Sequence, residues 1–255
     1  MSIIKHEIPI LEFDSEEMAV INPTHESLKI QLPQKCVFAF LGDYIDKYAK
    51  KTDCKIVSHF VSATKNFPIY VTTYLDEDIV LCQAPVGAAA ATQILDWLIG
   101  YGVTKIISAG SCGCLKPFPE KTFLIPKKAL RDEGTSYHYA PPSRYIEIDS
   151  NARRAIEEAI LAHGIRYEEV ITWTTDGFFR ETKEKVSYRK QEGCSCVEME
   201  CAALAACAAF RKATFGMILY TADSLADIDR YDERSWGGNA YEYALTLCLD
   251  AVKKL

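Results

Sequence analysis

The sequence lacks the features that define several large classes of protein. Its 35 aspartates and glutamates outnumber its 29 lysines and arginines, so the net charge is −6 and no basic excess exists to neutralise a nucleic-acid backbone. Its longest strongly apolar stretch, Cys201–Phe210, is far too short to cross a bilayer. We therefore expect neither a nucleic acid nor a membrane as a partner.

The N-terminal residues also lack a secretory signal. Glu7, Glu12 and Asp14 interrupt any apolar run of the length that such a signal requires. We therefore expect a cytoplasmic protein.

The ten cysteines do not form a metal-binding pattern. Each of the two close pairs, Cys112/Cys114 and Cys194/Cys196, has one residue between its members, whereas structural zinc sites usually have two to four. With 255 residues, 49% of them hydrophobic, the chain has a core large enough to need no disulfides. We expect reduced thiols and no metal site.

Short β-rich runs alternate with helical segments along most of the chain, without an internal repeat or a linker. The pattern predicts strands at 36–41, 55–63, 68–75, 78–84, 103–108, 122–126, 166–173 and 214–221, and helices at 42–51, 88–101, 150–164, 182–192, 197–211 and 241–254. Such alternation is typical of an α/β fold, here a single domain (25–255) built as a three-layer α/β/α sandwich around a mixed, mostly parallel sheet. Residues 1–24 are expected to form an N-terminal arm.

Three segments follow predicted strands, where an α/β sheet binds its ligands. Gly42 follows the first strand, the small-residue loop at 110–113 follows another, and Asp223 follows the strand at 214–221. The loop suits an anion, because its backbone N–H groups and the Ser111 hydroxyl can donate hydrogen bonds, although ordinary turns have the same composition. Asp223 is either a general acid with a raised pKa or the cap of the next turn.

Two further features have both a structural and a functional interpretation. Glu198 and Glu200 precede an alanine-rich helix, where they either interact with the helix dipole or accept hydrogen bonds from sugar hydroxyls. Phe178 and Phe179 lie in a predicted loop, as part of the core or as faces on which a planar ring stacks.

Five segments are more informative together, through their order and spacing along the chain, than any of their residues is alone. They are Val197-Glu-Met-Glu-Cys-Ala-Ala203, Gly102-Val-Thr-Lys-Ile-Ile107 with Gly110-Ser-Cys-Gly113, Arg131-Asp-Glu-Gly-Thr-Ser-Tyr-His138, Thr175-Asp-Gly-Phe-Phe179 and Tyr220-Thr-Ala-Asp223. In order and spacing they resemble the nucleoside phosphorylase superfamily, which includes hexameric purine nucleoside phosphorylase and uridine phosphorylase. The first segment is the most specific, and the resemblance runs from about His25 to the C-terminus.

The resemblance implies roles for individual residues. Glu200 would hold the ribose hydroxyls, with Met199 packed against the sugar. Phe178, with Phe179 beside it, would lie against the base. Asp223 would donate a proton to the purine N7 as the base leaves.

The resemblance also implies an assembly. His25 lies about where the family places a histidine that reaches the sugar 5′-hydroxyl in a neighbouring subunit. The active site would then be shared between subunits of a dimer-based homo-oligomer, a hexamer in this interpretation.

The implied reaction is phosphorolysis of nucleosides to a free base and a pentose 1-phosphate. Inorganic phosphate is then a co-substrate, and no cofactor is needed. Asp223 favours purines, because a uridine enzyme has no N7 to protonate, although the segment beginning at Arg131 resembles the uridine branch and leaves uridine open.

The phosphate site is where the sequence departs from the family. Gly42 and Ser111 match it, and Lys65 lies near the position of an arginine from the neighbouring subunit, but Asp46 and Ser108 stand where the family has two arginines. Arginine supplies the strong, bidentate part of phosphate recognition. If no other cation substitutes, water becomes the nucleophile and the protein is a nucleoside hydrolase.

Two questions stay open at this point: which cations replace the missing arginines, and whether the protein is an enzyme at all. The candidate substitutes for the arginines are Lys47, Arg131, Arg180, Arg230 and Arg234. A third interpretation, a nucleoside-binding or storage protein without turnover, is disfavoured because storage needs neither Glu200 nor Asp223.

Overall fold

The computed structural model describes residues 3–255, except for the side chain of Asn239, and strands alternate with helices from Lys35 onward. The strands are β1 (Lys35–Ala39), β2 (Lys55–Val61), β3 (Asn66–Tyr74), β4 (Glu77–Gln83), β5 (Lys105–Cys114), β6 (Phe123–Asp132), β7 (Tyr145–Glu147), β8 (Tyr167–Thr175), β9 (Cys194–Glu198) and β10 (Thr214–Ser224). The helices are α1 (Tyr44–Lys51), α2 (Ala88–Gly100), α3 (Ser150–Ala162), α4 (Lys183–Gln191), α5 (Cys201–Phe210) and α6 (Tyr241–Lys253).

Local sequence signals explain where two of the helices begin. Asp149 caps α3 by accepting hydrogen bonds from the backbone N–H groups of Asn151 and Ala152, both at 2.9 Å. Thr182 caps α4 by accepting one from the N–H of Lys185 at 3.3 Å. The buried residues of α3 recur at helical spacing, so one face of the helix packs on the sheet.

All ten strands belong to one mixed sheet. Its order is β10-β6-β8-β9-β5-β1-β4-β3-β2, with β7 beside β6. The β1–β4, β1–β5, β5–β10, β6–β8 and β8–β9 pairs are parallel, and the other described pairs are antiparallel. The predicted mixed α/β fold is confirmed, with a larger antiparallel share than expected. Because β10 pairs with both β5 and β6, strands β5, β10, β6, β8 and β9 close into a ring that the sequence pattern does not predict.

Helices cover both faces of the sheet and form the expected three layers. Helices α1, α3 and α6 share one apolar core with β1, β4 and β5, whereas α2 and α5 contribute to the core on the other face. Helix α5 is buried on all sides, which explains its uniformly small and apolar sequence. No helix in the described part of the chain is long and apolar enough to span a membrane.

Three predicted boundaries near the strand ends are wrong. The segment at 110–113 is not a loop but the end of β5, because β5 pairs with β10 through Cys112 and beyond. Likewise, Asp223 lies within β10. Residues 194–198 form β9, and the helix begins only at Cys201. Every residue of β9 is buried, so it lacks the alternation that marks a strand and merges with the apolar helix after it.

The N-terminal residues lie against the ends of α2 and α5. Arg211 donates a hydrogen bond to the carbonyl of Glu17 at 2.7 Å, and Lys212 forms an ion pair with the Glu17 carboxylate at 2.7 Å. Trp97, on α2, donates to Glu26 at 2.9 Å. The boundary between an arm at 1–24 and the domain at 25–255 stays a prediction.

Candidate active site

The ends of β5, β9 and β10 surround one pocket. Its lining is Phe40, Val86, Gly110, Ser111, Cys112, Gly113, Phe178, Glu181, Val197, Glu198, Met199, Glu200, Asp223 and Trp236. Five of the residues that the sequence singled out therefore lie together: Ser111, Phe178, Met199, Glu200 and Asp223. They come from segments far apart in the chain, and only the strand order brings them to one place.

The pocket lies where β5 has a strand on only one side. β1 bonds to β5 up to Ala109, whose carbonyl accepts a hydrogen bond from Phe40 N–H at 2.7 Å. On the same edge, β9 pairs with β5 only from Gly113. Between these points β5 pairs with β10 alone, which leaves exposed Ser111 at the opening. Such a gap between diverging strands is a usual place for a ligand in an α/β fold.

Glu200 is held at the start of two helices. It occupies the N-cap position of α5, and its Oε1 accepts a hydrogen bond from the N–H of Gly87, at the start of α2, at 2.6 Å. Gly87 has φ 103°, which side-chain-bearing residues rarely adopt, so a glycine gives this N–H its direction. Burial, reinforced by the charge of Glu198, raises the pKa of Glu200 to about 8.

Glu198 has a different task from Glu200, two residues later. Its carboxylate accepts hydrogen bonds from the hydroxyls of Thr174 (2.6 Å) and Thr172 (3.1 Å) and from the N–H groups of Glu200 (2.7 Å) and Cys201 (2.6 Å). These bonds fix the turn from β9 into α5. Glu198 is therefore a positioning residue, and Glu200 is the member of the pair available to a ligand.

Asp223 is buried near the end of β10 on the same pocket. Burial raises its pKa, although the Tyr231 hydroxyl and the charge of Arg234 oppose this effect. A Cβ at the neighbouring Gly113 would lie 2.9 Å from Leu225 Cδ1 and 3.1 Å from Val197 Cγ1, so the glycine allows these side chains to pack closely here. A raised pKa suits a carboxyl group in a pocket to general-acid chemistry.

Aromatic rings form one wall of the pocket. Phe178 and Trp236 both line it, with ring centroids 6.5 Å apart, and Tyr231 lies 6.5 Å from Trp236. The Phe179 side chain is 92% exposed and packs edge-on against Phe178 at 5.0 Å, outside the pocket. The wall offers flat apolar faces to a planar ring.

Besides Phe179, three predicted site residues lie apart from the pocket. Gly42, with φ 57°, forms the turn after β1 and packs next to Tyr241. Lys65 is exposed, with its Nζ 5.2 Å from the centroid of the Phe67 ring. His25 is exposed and lines a separate depression. Lys65 and His25 are predicted to act in a neighbouring subunit, and those roles stay predictions.

The proposed substitutes for the missing phosphate arginines are engaged elsewhere or exposed. Lys47 pairs with Asp43 at 2.8 Å. Arg131 is buried and donates to Ser136, Ser143 and two backbone carbonyls. Arg234 donates to the carbonyl of Phe118 at 2.8 Å and to the sulfur of Cys114. Arg180 and Arg230 are exposed and do not line the pocket.

The charged side chains that line the pocket within residues 3–255 are all carboxyl groups. Glu181, Glu198, Glu200 and Asp223 line it, and no lysine, arginine or histidine does so within residues 3–255. The two positions where the family has arginines are used otherwise: Asp46 accepts a hydrogen bond from Tyr70 at 3.0 Å, and Ser108 is buried. Across the described ranges, no group of three or more histidines, cysteines, aspartates and glutamates is arranged to hold a metal ion.

Sequence reasoning missed Glu181 and Trp236. Both lie in irregular segments, outside the strand ends where the ligand was expected. Glu181 follows directly on the Phe178 turn, so the proximity of that turn was the available signal. Burial, with the charge of Asp223, raises the pKa of Glu181 to about 7.

The fold and the pocket define an α/β protein with a carboxyl-lined pocket, bordered by aromatic rings, at the ends of its strands. Its family follows from comparison: the model of the phosphorylase superfamily matches residues 35–251. The chain belongs to this superfamily, as its sequence motifs predict.

Individual relatives are distant. The chain is 24% identical over 121 residues to a uridine phosphorylase of Haemophilus influenzae, covering 47% of this chain and 48% of the relative. It is 29% identical over 162 residues to a DeoD-type purine nucleoside phosphorylase of Mycoplasma genitalium, covering 61% and 66%. The chain spans about half the length of the first curated relatives it matches.

A solved structure supports the fold. The AMP nucleosidase of Bacteroides thetaiotaomicron superimposes with a TM-score of 0.71 at 24% identity, over 87% of this chain and 88% of the other. At this identity the likeness establishes the fold alone.

Proposed function

We propose that this protein cleaves the N-glycosidic bond of purine nucleosides and transfers the pentose to inorganic phosphate. The observation that carries this proposal is that Glu200 and Asp223 line one pocket together with Phe178. A sugar-binding carboxylate, a general acid and an aromatic face are the groups that this reaction needs. Two curated relatives named as purine and uridine phosphorylases support the class of reaction.

The two ends of the pocket would act on the two halves of the substrate. At the sugar end, the Glu200 carboxylate accepts hydrogen bonds from the ribose hydroxyls, and Met199 packs against the ring. At the other end, the base lies on Phe178 and Trp236. Because Glu200 is buried, it has lost hydrogen bonds from water, and the ribose hydroxyls would supply donors in their place. Such hydrogen bonds favour the ionised form of the carboxylate.

Bond cleavage leaves an oxocarbenium-like sugar and a base that must accept the bonding electron pair. In the proposed step, protonated Asp223 donates its proton to N7 of the purine. The base then departs as a neutral molecule, and Asp223 is left as the carboxylate. Because burial raises the pKa of Asp223, the pocket favours the protonated form that begins this step.

The acceptor is phosphate in the first candidate function. It would enter beside the Ser111 hydroxyl, at the open edge of β5. Within residues 3–255, every charged group that lines the pocket is a carboxyl group, so phosphate needs a cation from a neighbouring subunit. We assign that part to Lys65 in a dimer-based homo-oligomer. His25 would reach the 5′-hydroxyl in the same way.

Water is the acceptor in a second candidate function. The observation that favours it is the acidic lining, with no cationic side chain among residues 3–255 at the pocket. A neutral water molecule escapes the repulsion that a phosphate dianion meets there. Hydrolysis would use Glu200 and Asp223 in the same roles.

Product analysis separates these functions. Inosine, adenosine and uridine are incubated with the protein, with and without phosphate, and the products are separated. Phosphorolysis yields pentose 1-phosphate and stops without phosphate, whereas hydrolysis yields free pentose at the same rate in both conditions. Binding of nucleosides without any cleavage would reject both functions in favour of a storage protein.

The general acid is tested by Asp223→Asn. Asparagine cannot supply the proton, so we expect purine cleavage to fall by roughly 10²- to 10⁴-fold, with nucleoside binding largely kept. The exposed Asp227 gives the matched control, Asp227→Asn, which should keep wild-type rates. Unchanged turnover in Asp223→Asn would contradict the role of this residue.

A further inference from the structure

Glu181 is a fourth carboxyl residue of the pocket, and neither the positioning of Glu200 nor the proton donation by Asp223 uses it. It follows the short helical turn at Phe178–Arg180 and is partly buried. Asp223 lines the same pocket, and after burial its charge is the largest influence on the ionisation of Glu181. Phe178, which meets the base in the proposed function, lines this pocket as well.

Its carboxyl group has no partner of its own in the described part of the chain. No hydrogen bond or ion pair within 4.0 Å involves its side chain, whereas Glu198 accepts four hydrogen bonds. The cation that acts on it, Lys185, forms an ion pair with Asp132 at 2.8 Å instead. The oxygens of Glu181 are therefore free to accept a hydrogen bond from a ligand in the pocket.

The chemistry of the purine ring identifies that donor. The inference rests on the proposed function, in which Asp223 meets N7. The substituent at C6 lies beside N7 on the same edge of the ring, and it is an amino donor in adenine but an oxo acceptor in hypoxanthine and guanine. A second carboxylate beside Asp223 therefore meets the C6 substituent.

We propose that Glu181 accepts a hydrogen bond from the exocyclic amino group of a 6-aminopurine, and that the site thereby selects adenosine over 6-oxopurine nucleosides. With a 6-oxo base, the carboxylate faces a second acceptor and neither group is satisfied. A site built to pair with a particular polar group rejects an analogue that lacks it. Glu181 is thus the residue that determines which purine is used.

The test compares kcat/KM for adenosine and inosine at pH 8.5, where Glu181 is mainly ionised. We expect wild type to favour adenosine by roughly tenfold or more. In Glu181→Gln the amide offers both a donor and an acceptor, so the ratio should fall by about the same factor. The matched control is Glu184→Gln on the exposed side of α4, which should keep the wild-type ratio.

Each outcome decides the inference. A wild-type preference for inosine, or the same ratio in wild type and Glu181→Gln, would overturn it while leaving the proposed function intact. Cleavage of neither nucleoside by wild type would overturn both. If Glu181→Gln fails to fold, inhibition of wild type decides: free adenine should inhibit at a concentration roughly tenfold lower than hypoxanthine, and equal inhibition would overturn the proposal.

Discussion

Replacing Glu200 by glutamine should make the protein more stable at alkaline pH while it impairs activity. Glu200 is buried, accepts a hydrogen bond from Gly87 N–H at 2.6 Å and lies close to the negative charge of Glu198. Its pKa is raised from the ordinary 4.5 to about 8. Between these values the native protein binds more protons than the unfolded chain, so the stability of wild type falls as pH rises through this window.

The size of the effect follows from the two pKa values. One pKa unit corresponds to about 1.36 kcal/mol, so above pH 8 the ionised Glu200 reduces the free energy of unfolding by about 5 kcal/mol. Glutamine carries no charge, and its side-chain carbonyl can still accept a hydrogen bond from the N–H of Gly87. Its side-chain NH2 group, however, loses its hydrogen bonds to water on burial, which costs part of the gain. We therefore expect E200Q to exceed wild type by about 2 to 5 kcal/mol at pH 9, and by almost nothing at pH 4.

The assay is urea unfolding of both proteins at pH 4, 7 and 9, at one protein concentration because assembly contributes to stability. Glu184→Gln on the exposed side of α4 removes the same charge without burial and should follow wild type. Nucleoside cleavage by E200Q should fall, since a carboxylate that accepts from the ribose hydroxyls is lost. A stability difference that does not change with pH, or a less stable E200Q at pH 9, would refute the reasoning.

Three more substitutions test other parts of the site. Gly87→Ala forces an alanine to φ 103°, so we expect a loss of roughly 1–3 kcal/mol in urea unfolding and a higher nucleoside KM. Phe178→Ala should raise the nucleoside KM by roughly tenfold, whereas Phe179→Ala, whose ring lies outside the pocket, should not; equal effects would remove the assigned aromatic wall. Lys65→Ala should raise the phosphate KM by at least tenfold with little change in kcat, and Lys50→Ala is the exposed control; an unchanged phosphate KM would exclude Lys65 from the anion site.

Helices α2 and α3 were predictable because their large apolar or buried residues recur at helical spacing. The limits of α2 and α3 differ from the predicted ones by at most two residues. Strand β9 was not predictable, since all its residues are buried and it leads directly into the apolar α5. The closed ring was beyond sequence reasoning for another reason: it depends on β10 pairing with both β5 and β6, which no local pattern encodes.

The residues of the candidate site likewise include some that the sequence predicts and some that it does not. Glu200 and Asp223 were found because motifs mark them and because strand ends meet at one edge of the sheet. Glu181 and Trp236 were missed because the path of an irregular segment depends on tertiary contacts. The functions assigned to Lys65 and His25 depend on a second subunit.

In the proposed function, the charges of the pocket allow one chain to assist the departure of the base but not the binding of a phosphate acceptor. Three carboxyl groups that a ligand can meet, Glu181, Glu200 and Asp223, disfavour any new negative charge. A base that leaves with a proton from Asp223 is neutral and adds none. A phosphate dianion does add charge, so its binding has to be balanced by a cation from outside the pocket. In the proposed function, general-acid catalysis therefore comes from the single chain, whereas the choice between phosphate and water depends on what a neighbouring subunit contributes.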